Sequence, residues 1–410
     1  MYVEKAQRRL VHIVTVPQTL RFLEGHIRAQ AAAGWDVHVV ASPSPEPLEV
    51  ERRIRAPIHR LKMERQIAPL SDAGSLVRLT RLLRQLQPDL VHCHSPKAGL
   101  LGTVAARLAG VPSVALSVFG LPQMARRGLM RSLLDTTTRI SCALADWVWA
   151  DSPSMRDYLA ETRLCNAAKL HVLGQGSVAG IDAAERFRPD RFSAADRTAL
   201  RERFGIPAEA FVLGFVGRVV RDKGILELIG AWNRLKLRYP HLHLVIAGPV
   251  EEKDPEFLSD LQALEHDPAA HCLGLQEDVP PILAMFDVFV NPSYREGFGV
   301  ANAEASAMGL PVVATRIPGC VDSVADGQTG TLVPVRDVIA LAKALERYLR
   351  EPELRELHGN NGRERILTHF RPEDLSSALL KVYERLYAGK THETVTLDNI
   401  QPACGIKQVN

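Results

Sequence analysis

Short apolar runs alternate with longer helical patterns along most of this 410-residue chain. Runs such as LVHIVTV, VHVVAS, LVHCHS and SVALSV occur in the first half, and FVLGFVGR, LHLVIAGP, VFVNPS and PVVATR repeat the rhythm in the second. Continuous Val/Ile/Leu runs of about four to seven residues between helices are typical of buried parallel strands in β-α-β units. The sequence therefore predicts an α/β protein with two doubly wound parallel-sheet domains, which would face each other across a cleft.

Chain length and linker composition predict the domain boundaries. A chain of this length exceeds what one core usually organises, so two domains are expected. The Gly-rich LHVLGQGSVAGID and the charged FRPDRF separate the two series of strands. We expect an N-terminal Rossmann-like domain over residues 1–190, a C-terminal one over 191–371, a closing helix at 372–387 that returns to the N-terminal domain, and a polar tail at 388–410.

Charge is distributed unevenly. Residues 1–190 hold 25 Lys/Arg against 17 Asp/Glu, whereas residues 191–410 hold 25 against 30. A basic half fits a phosphate-bearing substrate, an anionic lipid or nucleic acid, and it also fits ordinary solvated helix faces. Six scattered cysteines without a CxxC pair suit a reducing cytoplasm. Because no apolar stretch suits a spanning helix or a signal peptide, we expect a cytoplasmic protein that at most touches a membrane surface.

GRVVRDKG, residues 217–224, follows one predicted strand directly and leads into a helix. Gly217 allows a tight turn, while Arg218 and Lys223 place two cations at the start of that helix, where an anion is favoured. A diphosphate is the natural ligand of such a loop. A solvated basic loop fits the same residues.

Two further loops follow strands of the same predicted sheet. Gly248 and the proline after it form a turn that would serve as one wall of a pocket for a flat base, although Gly-Pro turns are common after strands. Asp278 and Val279 lie in another such loop and are expected beside the base. Ligands bind at this edge of open parallel sheets.

REGFGVANAE, residues 295–304, carries two glutamates separated by small residues. Glu296 lies in the loop after the strand VFVNPS, and Glu304 lies about one turn inside the next helix, on the side of Val300. Such carboxylates would accept hydrogen bonds from vicinal hydroxyls of a sugar and a ribose. An exposed loop charge and a helix carboxylate favoured by the helix dipole fit the same spacing.

Metal and dinucleotide motifs are missing from the sequence. It has no Asp-x-Asp and no HExxH, and His92 and His94 are explained by alternation along one strand. His94, the last residue of that strand, would face the cleft. The first strand runs into VPQTLRFLEG rather than GxGxxG, which disfavours a dehydrogenase.

GRVVRDKG followed by REGFGVANAEASAMGLPVVAT resembles the retaining glycosyltransferases of family 4, also called group 1, which have the GT-B fold. The spacing of Glu296 and Glu304 matches the E-x7-E motif of that family. The resemblance extends over nearly all of residues 10–387. HSPKAGLLGTVAARLAGVP and GQGSVAGIDAAERFRP are similar to members that build capsules, exopolysaccharides and lipopolysaccharides, some of which extend lipid-linked sugars.

The resemblance implies transfer of a sugar from a nucleotide-sugar, preferably UDP-linked, to a glycan or polyprenyl-diphosphate acceptor, without metal or nucleic acid. The resemblance and the positions of residues after strands together predict the site. The predicted residues are Arg218, Lys223 and Glu296 in catalysis, Gly217, Gly248, Asp278, Val279, Phe298, Gly299, Val300 and Glu304 on the donor side, and Gln18, Thr19, His94 and Lys97 on the acceptor side. The departing diphosphate would be stabilised by two cations and a helix N-terminus.

Three departures from the family pattern bear on these roles. Pro17-Gln18-Thr19 replaces the Gly-rich loop that many members have after their first strand. Phe119 stands where many have a histidine, so no catalytic histidine is assigned. Residues 179–182 read Ala-Gly-Ile-Asp instead of Asn-Gly-Val-Asp.

The segment MARRGLMRSLLDTTTRI combines arginines with Met130, Leu133 and Leu134. This pattern is compatible with a helix that lies on an anionic membrane, the inner face of the cytoplasmic membrane in this case, and equally with one that packs into its own domain. Two other functions fit the same architecture: a GT-B epimerase that needs no acceptor, and a non-catalytic nucleotide-sugar sensor or assembly partner.

Overall fold

The computed structural model describes residues 8–44 and 48–387, and the chain divides into two compact units. The first unit is formed by two segments of the chain, one that ends at Gly180 and one that begins at Pro372. The second unit is the continuous segment Ile181–Arg371. The division thus falls before residue 190, the boundary expected from the sequence. The polar tail expected at 388–410 lies outside the described residues.

Parallel strands build the sheet of the first unit. They are β1 (Arg9–Val14), β2 (Asp36–Ala41), β3 (Ile58–Arg60), β4 (Leu90–His94), β5 (Ser113–Val118), β6 (Trp147–Ala150) and β7 (Leu170–Val172). Their order is β3-β2-β1-β4-β5-β6-β7, and every pairing is parallel. The central strands are almost fully buried, as expected where helices cover both faces of a sheet. The edge strands β3 and β7 are too short for the apolar pattern to predict.

Helices connect these strands. They are α1 (Glu24–Ala32), α2 (Glu49–Arg53), α3 (Pro69–Leu86), α4 (Pro96–Ala109), α5 (Gly128–Leu144) and α6 (Pro153–Glu161). Three 3₁₀ turns accompany them at Pro17–Phe22, Pro122–Ala125 and Ala167–Lys169. Local sequence sets the starts: the Ser152 hydroxyl accepts a hydrogen bond from the Met155 backbone N–H, and Pro153 occupies the first helical turn, where its missing N–H costs nothing.

The second unit repeats the plan. Its strands are β8 (Phe211–Val216), β9 (Leu242–Ala247), β10 (Ala270–Gly274), β11 (Val288–Asn291), β12 (Val312–Thr315) and β13 (Gly330–Val333). They are ordered β10-β9-β8-β11-β12-β13, again in parallel. Its helices are α7 (Ala194–Arg203), α8 (Ile225–Lys236), α9 (Pro255–Glu265), α10 (Pro280–Ala284), α11 (Val300–Ala307), α12 (Cys320–Ser323), α13 (Val338–Arg350) and α14 (Pro352–His369), with 3₁₀ turns at Pro189–Arg191 and Arg221–Lys223. Two parallel α/β domains confirm the predicted fold class.

The last helix, α15 (Pro372–Tyr387), completes the core of the first unit. Tyr383 is fully buried against Trp35, and its hydroxyl hydrogen-bonds to Nδ1 of His92. Ser376 Oγ lies 3.0 Å from Nδ1 of His26 on α1. Apolar packing and satisfied polar groups therefore both attach α15 to this unit.

The helices of residues 8–44 and 48–387 are each too short or too polar to pass through a lipid bilayer.

Candidate active site

The loops that follow the strands of the second unit are packed backbone to backbone through glycine. A Cβ on Gly248, after β9, would lie 1.7 Å from the carbonyl oxygen of Gly217, after β8. A Cβ on Gly224 would lie 2.1 Å from the carbonyl oxygen of Pro292, after β11. Because no larger residue fits these contacts, the glycines bring the three loops together at one edge of the sheet.

Lys223 and Glu296 meet at this edge from two different loops. The Lys223 Nζ donates a hydrogen bond to Glu296 Oε1 at 2.5 Å, and the two side chains are 20% and 14% exposed. The same carboxylate oxygen accepts from Ser293 Oγ at 2.9 Å and from Asn291 Nδ2 at 3.3 Å. The carboxylate is thus fixed by three donors and remains open to solvent on one side.

The environment of Glu296 favours its ionised form. Burial acts to raise the pKa of this carboxyl group, but the charge of Lys223 and the hydrogen bonds from Lys223, Ser293 and Asn291 outweigh it, so the pKa lies below its ordinary value. A negative charge is therefore present at this position throughout the neutral range.

Buried polar residues form hydrogen bonds with Asn291 and Ser293, two uncharged residues that contact Glu296. Asn302 on α11 accepts from Asn291 Nδ2 at 2.8 Å and donates to Ser323 Oγ at 3.0 Å. Thr315 at the end of β12 donates to the backbone carbonyl of Ser293. Sequence reasoning missed Asn291, Ser293 and Asn302. The available signal was the polar NPS ending of the otherwise apolar run VFVNPS, which places polar side chains at the strand end.

Acidic residues of the loop after β9 pair with the arginines of the GRVVRDKG loop. Arg218 Nη1 lies 3.1 Å from Glu251 Oε2, with about a third of each side chain exposed. Arg221 Nη2 lies 2.8 Å from Asp254 Oδ2. Ion pairs this exposed are weak, so an incoming phosphate would compete readily for Arg218.

A second set of contacts joins the loops after β8 and β11. Arg295 Nε donates to Asp222 Oδ2 at 2.7 Å, and the Tyr294 backbone N–H donates to the Asp222 carbonyl at 2.9 Å. The Tyr294 hydroxyl donates to Glu227 Oε1 at 2.6 Å. These bonds keep the loops that carry Lys223 and Glu296 together independently of the ion pair between those two residues.

Helix α11 begins at this edge without a side-chain cap. Gly299, with φ of 83°, precedes Val300, the first helical residue, so the first backbone N–H groups are available to an anion. Glu304 is partly exposed one turn into the helix, as its spacing predicted. The Phe298 side chain is fully buried and packs on Phe370, which leaves only the backbone of Phe298 for a ligand.

The residues predicted beside the base lie in two loops of the second unit. Gly248 donates its N–H to the Gly274 carbonyl at 2.7 Å, which ties the loops after β9 and β10 together. Val279 is half-buried and immediately precedes α10. The Asp278 side chain is 69% exposed and lies 3.8 Å from Arg186.

The residues predicted on the acceptor side belong to the first unit. Gln18 is exposed and Thr19 half-buried in the 3₁₀ turn after β1. Lys97, in the first turn of α4, forms an ion pair with Asp72 of α3. The loop after β1 contacts the start of α4, because Thr15 Oγ1 accepts from the Ala98 backbone N–H at 3.1 Å.

His94 is fully buried in the first unit, at the centre of a histidine cluster. Register places His12 of β1 beside His92 and His94 of β4, with one nitrogen of each ring within 4.8 Å of the others. His12 hydrogen-bonds to His94 at 3.0 Å and to Gln30 at 2.8 Å. His92 bonds to Tyr383 and to Ser117. Hydrogen bonds thus use both ring nitrogens of His12 and His92, so metal binding would require their loss.

Burial keeps these histidines neutral. Desolvation lowers the pKa of His12 to about 4, opposed by the hydrogen bond that its Nε2–H donates to Gln30 Oε1, and it lowers the pKa of His26 to about 4 as well. The pKa values of His92 and His94 are lowered too, first by burial and then by the neighbouring histidines.

Comparison with known proteins agrees with this division of the chain. The model described as Glycosyl transferase 4-like domain matches residues 21–176, and that described as Glycosyl transferases group 1 matches residues 196–365. The capsular polysaccharide biosynthesis glycosyltransferase CapM of Staphylococcus aureus is 31% identical over 92% of the chain and 97% of its own length.

A second relative and one solved structure also resemble this chain, at lower sequence identity. UDP-Gal:alpha-D-GlcNAc-diphosphoundecaprenol alpha-1,3-galactosyltransferase of Escherichia coli is 29% identical over 75% of the chain and 78% of its own length. The crystal structure of Anabaena HepE in complex with UDP and glucose has a TM-score of 0.76 at 18% identity, covering 92% of the chain and 99% of HepE. At that identity the likeness shows the GT-B fold alone.

Proposed function

The chain belongs to the group 1 glycosyl transferases, and from that membership we propose that it moves a sugar from a UDP-linked donor to a saccharide carried on a polyprenyl diphosphate, with retention of configuration, during surface polysaccharide synthesis. That it is a glycosyltransferase follows from the family. The donor, the stereochemistry and the acceptor are the proposal. CapM acts in capsule synthesis, the Escherichia coli relative is named for UDP-Gal and a diphosphoundecaprenol acceptor, and HepE binds UDP and glucose.

The Lys223–Glu296 pair is the observation that carries the proposal. It places an ammonium and an ionised carboxylate side by side, partly exposed, at the strand ends of one sheet. A diphosphate needs the cation and the N–H groups that begin α11, while a sugar hydroxyl needs the acceptor oxygen. A nucleoside diphosphate sugar offers both groups in one molecule.

Charge development in the reaction assigns the roles. As the acceptor oxygen bonds to the anomeric carbon, the bond to the diphosphate breaks, and the acceptor proton leaves with the diphosphate oxygen. Lys223, and Arg218 released from Glu251, would stabilise the negative charge that grows there. Glu296 would orient the sugar, and Glu304 would accept hydrogen bonds from the ribose. The same charges make transfer without metal our expectation.

A donor panel tests this function. The purified protein is incubated with UDP-, GDP- and ADP-sugars, with and without EDTA, and the melting temperature and slow hydrolysis of each sugar are measured. We expect a UDP-sugar to raise the melting temperature and to be cleaved equally well with EDTA. A GDP- or ADP-sugar preference would overturn the donor assignment, loss of cleavage with EDTA would overturn the metal-free mechanism, and conversion of the sugar to an isomer would favour an epimerase.

Helix α5 gives the first unit a surface suited to a lipid-linked acceptor. Leu129 is 91% exposed, and Met130 and Leu133 are each 46% exposed. Arg126 and Arg127 directly precede these side chains. Apolar side chains beside arginines are what an anionic membrane surface binds, so we propose that α5 rests on the membrane that holds the acceptor.

Flotation with vesicles of phosphatidylglycerol and phosphatidylcholine tests the role of α5. We expect the protein to float at low salt and Leu129→Asp to reduce flotation at least about tenfold, since it puts a charge into the apolar contact. Leu70→Asp on α3 is the matched control, because Leu70 is 92% exposed and the change in charge is the same. Equal flotation of the two variants would contradict membrane docking by α5.

A further inference from the structure

We propose that Cys142 and Cys165 form a redox-active dithiol, which hydrogen peroxide converts into a disulfide bond. The pair belongs to the first unit, whereas the residues given catalytic roles belong to the second, and the proposal does not depend on the proposed sugar transfer. Three observations support it: the contact between the elements that carry the two cysteines, their shared opening to solvent, and the lysine beside them.

The two thiols come from different elements and meet in one place. Cys142 lies in the last turn of α5, and Cys165 follows α6. Both side chains belong to the core of the first unit and line one surface pocket, and Arg139 of α5 donates a hydrogen bond to the Arg163 carbonyl after α6 at 3.3 Å. Oxidation would therefore join two elements that are already in contact, without a large rearrangement of the backbone.

A surface pocket of about 420 Å³ reaches both cysteines, although each residue is less than a tenth exposed. Arg139, Arg163 and Lys169 also line it. A small neutral oxidant such as hydrogen peroxide would thus reach the sulfur atoms through a basic opening, which favours a thiolate there.

Lys169 is held beside the pair by the end of α5. Its Nζ donates to the carbonyl oxygens of Ala145 at 2.7 Å and Ala143 at 2.9 Å. The hydrogen bond from Cys142 and the charge of Lys169 lower the pKa of Cys165 against the effect of burial. The pKa of Cys142 is raised, first by its hydrogen bond with Cys165 and then by burial. Cys165 is therefore the thiol that ionises first.

The other described cysteines lack these features. Burial raises the pKa values of Cys93 and Cys320, both fully buried. Burial also raises the pKa of the half-buried Cys272 to about 11. Because the thiolate is the species that reacts with peroxide, these three should oxidise more slowly than Cys165.

The proposed chemistry has two steps. The Cys165 thiolate attacks one oxygen of hydrogen peroxide, the O–O bond breaks, and the departing hydroxide takes a proton to leave as water, giving a sulfenic acid on Cys165. The Cys142 sulfur then attacks the Cys165 sulfur, the S–O bond breaks, and the hydroxide leaves with the Cys142 proton as a second water. Two thiols are oxidised and one peroxide is reduced.

Peptide mapping tests the proposal on the full-length native protein. Samples are taken during exposure to a modest excess of hydrogen peroxide, blocked with N-ethylmaleimide, digested and analysed by mass spectrometry. We expect a Cys142–Cys165 cross-linked peptide to appear at least about tenfold faster than oxidation of Cys272, and dithiothreitol to reverse it. Cys142→Ala should instead accumulate a sulfenic acid on Cys165, which dimedone traps.

Two control variants make the result decisive. Cys272→Ala should leave the rate of cross-linking unchanged, and Cys404→Ser removes the cysteine of the C-terminal segment as a competing partner. The proposal is overturned if the cross-link forms only in urea or if Cys165 pairs with Cys404 instead. It is also overturned if N-ethylmaleimide still labels Cys142 and Cys165, which are then still reduced, after Cys272 has been oxidised.

Discussion

Lys223 and Glu296 are joined by a 2.5 Å hydrogen bond although they are 73 positions apart, one after β8 and the other after β11. The bond connects the two strands of the second sheet that are paired at its centre. It joins two loops into one polar surface, so that replacing either residue also removes the ion-pair partner of the other. Variants that separate charge from geometry are therefore the most informative.

Replacement of Lys223 by Ala should lower the rate of sugar transfer by about 100-fold or more, since the ammonium would stabilise a charge that grows in the transition state. Lys223→Arg should retain more activity than Lys223→Ala because it keeps the charge. Steady-state kinetics with saturating donor provide the measurement.

Lys236→Ala is the matched control for that prediction. Lys236 forms a 2.6 Å ion pair with Asp267 in the same unit, at the far end of α8. Equal losses in the two variants would mean that Lys223 only supports the fold.

Ser293→Ala should move the acid limb of the activity profile to higher pH. The hydroxyl helps to hold the pKa of Glu296 below its usual value, so its removal raises that pKa, and the ionised fraction is lost earlier as the pH falls. The measurement is kcat/KM against pH. Ser306→Ala is the comparison, because within residues 8–44 and 48–387 its buried hydroxyl has no hydrogen-bond partner to lose. Identical acid limbs in the wild type and Ser293→Ala would refute the effect.

Glu304→Ala should weaken binding of the donor by about tenfold, which is the loss expected for one hydrogen bond to a charged group. It should change kcat little. Isothermal titration with the donor nucleotide measures it. The exposed Glu364 provides a control of equal charge, and an unchanged dissociation constant in Glu304→Ala would count against the ribose role.

Gly248→Ala should destabilise the second unit much more than Gly274→Ala. Both residues have positive φ, 150° and 62° respectively, but only Gly248 has a backbone oxygen in the way of a Cβ. Gly274→Ala should cost about 1–2 kcal/mol from its left-handed backbone conformation alone. Urea unfolding followed by fluorescence gives both values, and equal costs would show that the contact with Gly217 relaxes easily.

Mild acid should weaken the first unit. His12 and His26 have pKa values near 4 in the folded state and about 6.5 when unfolded, so the unfolded chain binds more protons between these values. The free energy of unfolding is therefore largest above pH 6.5 and falls by about 1.4 kcal/mol per pH unit and per histidine as the pH drops towards 4. Urea titrations at pH 7.5, 6 and 5 measure it, and a constant value over this range would be inconsistent with neutral buried imidazoles.

The sequence predicted the parts of the molecule that follow from local pattern. The long apolar strands, α11 and the helix at Pro372–Tyr387 lie where their patterns placed them. The helical pattern after the first strand runs from Phe22 to Ala33 and predicts a helix that starts there, whereas α1 begins at Glu24. The reason is that Pro17–Phe22 forms a 3₁₀ turn, with the Leu23 N–H bonded to the Leu20 carbonyl at 2.9 Å.

Long-range pairing could not be predicted in the same way. Nothing near His12 in the sequence indicates that β1 pairs with β4 and brings it to His94. Likewise, Glu251, the acidic partner of Arg218, lies in the loop after β9, for which the sequence predicts only a contact with the nucleotide base. The sequence indicates only a turn at Gly248, whereas the structure uses Gly224 and Gly248 for close contact between loops. Family likeness indicated the role of the site, but strand order decides which side chains meet there.

The position of α15 after the second unit in the sequence has a consequence for synthesis on the ribosome. The second unit is continuous, from Ile181 to Arg371, and its strands are complete before α15 is translated. The first unit, although it emerges earlier, waits for the last helix to cover Trp35 and His92. A stop codon after Arg371 would thus leave the second unit complete and expose the core of the first unit. Nascent chains of this enzyme would therefore need protection of the first unit until α15 has been translated.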